Sequence, residues 1–561
     1  MRAWLRETHG PTFELLRHFL RRFFDSDLIT TPGQMMGVLI AAVPFVFQWF
    51  LLLFYPLAHK YAWLSGLPTP SPYREAVRAD ELWLITLIMS AIGLLSAIKW
   101  QSLFPDLRDY RALAGLPLRP VEIFGAKLTA LLLVAISALV TINLLPSFAF
   151  PAVSSSHWAL QQSPGARVMA HAIASLAASS FFFFGLVALQ GLLLNILRPR
   201  AIGHVTGSLQ GTLVAVMLAL MVMSFSIQPQ ITSVVLRPEW ARWLPPVWFL
   251  GLYQSLSGDT DPMMRLLAIR AEVALASAVV LAFLSYLISY QRHRTLMVEG
   301  IAGKSARARR FSSRLPGWIS HGPRQQAILA FMLQTLGRSN RHRMILMGYA
   351  GVGFAIALTG IAVLHDAAAD FVYYHIVALL FLLIGARHLF SLPTELKANW
   401  IFQITEGEGR ADWLRAVDRF VFLWGGSLLL LIPLPVEILL LGLRGIGEAT
   451  LFGVLGLVAF ECAFSPSLGC GDKLPFTCSQ LPSKMPIWMI LAFIGLFGVL
   501  SMLHTLLLAA LYNAALFATL ISLLLVAWWR IRSARRQSWA ELRLKYEEAP
   551  APAVYGLNLL K

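Results

Sequence analysis

A chain of 561 residues with 57% hydrophobic and only 13% charged residues, and a mean hydropathy of +0.66, lies outside the range of soluble globular proteins, which carry about 25% charged residues. The composition excludes a large soluble domain. The net charge of +17 is scattered over many short segments and forms no single basic face, so no nucleic-acid partner is expected. Apolar residues come in nearly uncharged runs of roughly 18 to 25, the length a helix needs to cross about 30 Å of hydrocarbon. Backbone groups in lipid must be satisfied within the protein, and the alternation of a membrane barrel is missing. The fold expected is an all-α, polytopic transmembrane helix bundle of about twelve spans.

In chain order, residues 1–33 are charged and aromatic, with no short apolar core followed by a small-residue cleavage site, so no cleavable leader is expected. Phe13, Leu16, Phe19, Leu20 and Phe23 share a helical face opposite Arg17, His18, Arg21 and Arg22. That pattern describes an amphipathic helix in the membrane interface; packing on another cytoplasmic segment is the alternative. Spans are expected at 34–58, 81–98, 128–147, 169–196, 207–227 and 267–290, then at 344–364, 371–388, 419–442, 449–466, 487–507 and 511–530. Asn513 is the only plausible turn between the last two, which leaves an eleven-span count open. The polar, basic interval 291–324 separates a first six-span half, 1–290, from a second, divergent half, 325–530, followed by a basic tail, 531–561.

Lysine and arginine orient the bundle. With both termini inside, the inside segments hold 37 of the 46 and the outside loops 7, the remaining two being Arg167 and Arg270 at helix ends. Inverting the chain would break the positive-inside rule. This places the chain in an inner or plasma membrane with both ends in the cytoplasm. Cys470 and Cys478 then lie in a cytoplasmic loop near Cys462, where disulfides are disfavoured; were that loop outside, a Cys470–Cys478 bridge would become plausible.

The halves echo one another. Ile328, Leu329, Met332, Leu333 and Leu336 form a stripe opposed by Gln326, Gln334 and Arg338 before the seventh span, as in the helix before the first. Between the second and third spans of each half runs a segment opening on Leu-Phe, Leu103-Phe104 and Leu389-Phe390, each with a following aromatic, Tyr110 and Trp400. Pro120 fits the first helical position and Glu122 the positively polarised first turn. An internal six-plus-six duplication is the reading.

Few residues suggest chemistry. Gly300–Ser305 echoes a phosphate-binding loop, but the Walker spacing needs glycine where Val298 stands and no strand precedes it. No cofactor is expected in this chain and none of its loops holds an enzyme domain. Intramembrane polar candidates are Arg270, Glu272, Glu437, Glu461 and His504, because charge in lipid is costly; Glu437, the deepest acid, could pair with Arg444. His365, Asp366, Asp370 and His375 have metal-ligand chemistry, but a solvated turn is favoured and no metal is expected. In the long outer loop, the stretch 244–256 (LPPVWFLGLYQSL) is too short to cross and reads as a segment dipping into the outer leaflet.

An interfacial helix, two spans, a cytoplasmic helical loop, three spans and a short element before the sixth span: this order resembles the membrane subunit of type-2 ABC exporters. Leu116-Pro117, Pro120, Phe124 and Lys127 carry the likeness in the loop, and Trp248 and Leu252 after Pro245-Pro246 carry it before span six. It covers 10–290 well and 325–530 loosely, since the last two spans leave no room for the outer element. The resemblance implies a permease driven by a separate ABC ATPase dimer that binds the ATP. Its coupling residues would be Asp106, Arg108, Asp109, Tyr110 and Arg111, with Lys397 and Trp400 in the second half. A membrane enzyme acting on lipid-linked substrates, with the His365 group as its site, and a non-transporting scaffold are the alternatives.

Overall fold

The computed structural model describes residues 12–20, 54–104, 119–159, 163–197, 199–228, 239–298, 322–363, 368–392, 394, 404, 410–421, 438–439, 442–463, 506 and 509–541. Among them regular structure is entirely helical. The chain divides into two compact units, Met1–Ala306 and Arg307–Lys561.

The first unit holds α1 (12–20), α2 (54–65), α3 (Ser71–Ile98), α4 (Pro120–Val153), α5 (Pro164–Ile196), α6 (Pro199–Ile227), α7 (Pro245–Leu256) and α8 (Pro262–Val298). The second holds α9 (Pro323–Arg338), α10 (Asn340–Val363), α11 (Ala368–Ser391), α12 (Arg410–Val421), α13 (Leu443–Ala463) and α14 (Ala514–Glu541). Among the described residues, eight stretches are long and apolar enough to cross a membrane: Ser71–Ile98, Val121–Val153, Pro164–Ile196, Val205–Phe225, Pro262–Ser289, His342–Gly360, Gly445–Ala463 and Ala514–Gln537. A shorter one covers Tyr374–Phe390. The protein is a multi-pass helical membrane protein. Of the expected spans, 34–58 up to residue 53, most of 419–442 and nearly all of 487–507 lie outside the described residues.

Local chemistry explains where the helices start. Proline stands first in α4, α5, α6, α7, α8 and α9, a position where its missing N–H costs nothing. The Arg119 backbone N–H donates to Glu122 Oε2 at 3.1 Å, which closes the first turn of α4. Ser163 Oγ accepts from the Ala166 N–H at 3.2 Å ahead of α5, and Asp261 Oδ1 from the Met263 N–H at 2.9 Å ahead of α8. Asn513 breaks the chain before α14, where its Oδ1 accepts from Ala515 N–H at 3.0 Å and Leu516 N–H at 3.3 Å. These are side-chain caps for donors that a helix end leaves unbonded.

Several helices outrun the expected spans. α3 begins at Ser71, ten residues before the expected 81, and α4 runs on through Pro146 and then past the expected 147, through Pro151, to Val153. The early turns of α3 are amphipathic: Tyr73 and Ala79 are buried beside Tyr61 and Phe150. The Tyr73 hydroxyl donates to the Ser154 carbonyl at 2.6 Å, tying the two overruns together. Hydropathy finds the bilayer-length run of α3 and misses its first turns, because packing on other helices covers their apolar side chains.

The amphipathic helix of each unit is docked by its apolar face. In the first unit Leu15 and Phe19 of α1 are buried with Trp100, Leu103 and Phe104 after α3 and with Ile123 and Phe124 of α4. In the second unit Ile328, Leu329, Met332 and Leu336 of α9 are buried with Leu389, Val417 and Phe420, and Phe390 meets Phe420 edge-on at 5.9 Å. Both Leu-Phe pairs therefore sit between the leading helix and the helix that restarts the chain.

α7 folds back on α8. Gly258, with φ 79°, forms the turn between them, and the Asp259 N–H returns to the Gln254 carbonyl at 3.0 Å. A Cβ on Gly251 would collide with the Leu267 Cβ and lie 2.8 Å from the Met264 carbonyl oxygen, so the helices pack at glycine distance.

Candidate functional site

The described residues hold two ionic clusters, one in each unit. The first lies where α2, α3, α5 and α7 converge. Asp80 and Glu81, neighbours on α3, are both 0% exposed. Asp80 accepts from the Lys60 ammonium at 2.8 and 2.9 Å, from the Tyr61 hydroxyl at 2.8 Å and from the Gln228 amide at 2.8 Å. Glu81 faces His171 of α5, whose Nδ1 lies 2.9 and 2.8 Å from its two oxygens. Phe150 and Tyr253 pack around the imidazole with ring centroids 5.5 and 6.4 Å away. Burial, then the charge of Glu81, pushes the Tyr253 phenol above its ordinary range, so it stays a neutral hydroxyl.

The second cluster ties three helices of the other unit. Arg535 of α14, 3% exposed, donates to Glu461 of α13 at 2.6 Å and to Asp418 of α12 at 2.5 Å. Arg532 adds a longer contact to Glu461, 3.8 Å. Burial raises the Asp418 carboxyl above the usual carboxylate range, against the pull of the Arg535 guanidinium. A planar guanidinium with donors on two edges suits such a bridge between two carboxylates.

Among the sequence candidates, Glu461 is thus in a buried ion pair. Arg270 is half-buried: it donates to the Arg242 carbonyl at 3.2 Å and lies over the Trp243 ring at 5.4 Å, an arrangement suited to a membrane interface. Glu272 is exposed. Glu437, His504, Asp106, Arg108, Asp109, Tyr110, Arg111, Lys397 and Trp400 lie outside the described residues. So do Cys470 and Cys478, while Cys462 is an exposed free thiol. His375 is buried with its ring edge-on to Phe452 at 5.7 Å; the side chains of His365, Asp366 and Asp370 are not among those described. No group of three or more His, Cys, Asp or Glu side chains able to hold a metal ion occurs among the described residues.

Reading the sequence by hydropathy passes over Asp80, Glu81 and His171. The two acids stand at the edge of an apolar run and look like loop residues, and the histidine is averaged away within one. The available signal was an Asp-Glu pair abutting a span with a lone histidine inside another. Compared with models of known families, with curated proteins and with solved structures, the chain matches none.

Proposed function

We propose that the chain is the membrane-spanning permease subunit of an ABC-type exporter, driven by a separate ATPase subunit that binds the ATP. The observation carrying this reading is the arrangement in the first unit. An amphipathic helix, α1, is docked on Leu103-Phe104 and on the first turns of α4, and these same elements bracket the segment 105–118. Phe104 and Phe124, buried on either side of that segment, can pass a push from a cytoplasmic partner into α3 and α4. In this reading Asp106, Arg108, Asp109, Tyr110 and Arg111 meet the ATPase dimer, and Lys397 and Trp400 do so in the second half. The folded-back pair α7–α8 supports the likeness at the other end.

The finer topology belongs to the same proposal: twelve spans as two sets of six, both termini cytoplasmic, in an inner or plasma membrane. The excess of Lys and Arg in the segments assigned inside supports it. So does the parallel docking of α1 and α9 on their Leu-Phe pairs. The test is affinity purification of the intact protein from its native membrane, followed by identification of bound nucleotide hydrolases. An ABC ATPase should co-purify, and Asp106→Arg with Asp109→Arg should weaken its association. Purification without any ATP-binding partner, or full-strength association after the charge reversals, would overturn the assignment.

A further inference from the structure

Arg270 stands within a lipid-facing stripe of a membrane-spanning helix. Leu266, Ile269 and Val273 of α8 are exposed apolar side chains at the spacing of one helical face, and Arg270 falls among them. α8 carries the apolar span Pro262–Ser289, so the medium that meets this face is bilayer. A guanidinium has five N–H donors and no acceptor. Arg270 uses one donor on the Arg242 carbonyl, at 3.2 Å, and rests against the Trp243 ring. Both partners are neutral. Among the described residues no carboxylate pairs with it, and an uncompensated charge in lipid is costly.

The surroundings hold the guanidinium in place without neutralising it. The Arg242 carbonyl also accepts from Trp248 Nε1 of α7, at 2.9 Å, so one oxygen ties the short turn Glu239–Trp243 to both α7 and α8. Trp243 is 74% exposed, and Trp240 of the same turn is exposed too. Outward-facing indoles are enriched at the level of the lipid headgroups. The nearby acids are committed elsewhere. Glu239 is exposed and reaches Arg242 at 3.8 Å, an ion pair of little strength. Asp259 pairs with Arg78, and Asp261 caps α8. Glu272 is exposed two positions along α8, a spacing that does not face Arg270.

We infer that Arg270 and the Trp243 ring form a headgroup site for a glycerophospholipid of the surrounding bilayer, whose phosphate accepts from the remaining guanidinium donors. The lipid phosphate is the anion a bilayer supplies at this level, and arginine pairs with phosphate through two parallel hydrogen bonds. The acyl chains then lie along the stripe that continues past Val273. The inference rests on α8 crossing the membrane and not on the permease reading.

The experiment is native mass spectrometry of the full-length protein, delipidated in detergent and titrated with phosphatidylglycerol or with the matching diacylglycerol. The unsubstituted protein should bind the first phosphatidylglycerol severalfold more tightly than the diacylglycerol. That preference should disappear in Arg270→Gln and persist in Arg265→Gln, which removes an exposed charge from the same helix. Equal binding of the two lipids by the unsubstituted protein would overturn the assignment. So would a preference that Arg270→Gln leaves intact, or one that Arg265→Gln abolishes equally. Displacement of the lipid by soluble glycerol phosphate would assign the site to a free phosphate instead, against the proposal. Should Arg270→Gln fail to fold, Trp243→Ala alters a side chain that packing does not need, and it should still weaken the preference; an unchanged preference there would sink the proposal.

Discussion

The Lys127 ammonium of α4 lies 4.9 Å from the centre of the Phe19 ring of α1, and both side chains are buried. A cation over an aromatic face is attracted by the ring quadrupole, by about 2 kcal/mol or more where water is excluded. In the second unit the equivalent helices are joined differently: Arg419 of α12 donates to Gln325 of α9 at 2.9 Å. The docking is common to both units while the polar contact that secures it has changed.

Phe19→Ala should therefore release α1. Removing a buried phenylalanine costs about 3–5 kcal/mol, and the loss here is local to one short helix. Hydrogen exchange over residues 12–20 should rise steeply in that variant. Arg17→Ala, at a half-exposed side chain whose contact to Glu14 is 3.6 Å, should leave exchange nearly unchanged.

Arg535→Met strands Glu461 and Asp418 with buried or half-buried charge. Truncating one partner of a buried ion pair costs about 3–5 kcal/mol, so the melting temperature of the detergent-purified protein should fall markedly. Adding Glu461→Gln to that variant should recover part of the loss, because the stranded charge is then removed. A double variant no more stable than Arg535→Met would argue against the pairing.

Gly251→Ala places a methyl group against Leu267 where no room exists. Overpacking of this kind costs about 1–3 kcal/mol, and the α7–α8 pair should loosen, read as a lower melting temperature and faster exchange over 245–256. Gly125→Ala in α4, where a Cβ meets nothing within 4 Å, is the control and should be neutral or slightly stabilising.

What the sequence reveals here is what is local. Pro120 with Glu122, and Asn513 as a break, are readable because a cap is decided within four residues. The Leu-Phe pairs are readable as a repeat, though not as the docking floor they turn out to be. The Glu81–His171 pair joins residues 90 positions apart, and no periodicity announces such a contact. The length of α3 escapes hydropathy for a related reason: its first turns are covered by Tyr61 and Phe150, which are brought there by other helices.

A topology reporter fused at residue 510, just ahead of the Asn513 break, should read outside, and one at residue 541 inside. An inside signal at 510 would remove the final hairpin and reduce the count to eleven.

The most direct test of the permease reading is photo-crosslinking in the native membrane from a probe placed at Arg108. The reading predicts a covalent product with an ATP-hydrolysing subunit, diminished when Asp106 and Asp109 are reversed in charge. A probe at Arg108 that captures only lipid, or captures partners none of which binds ATP, would contradict it.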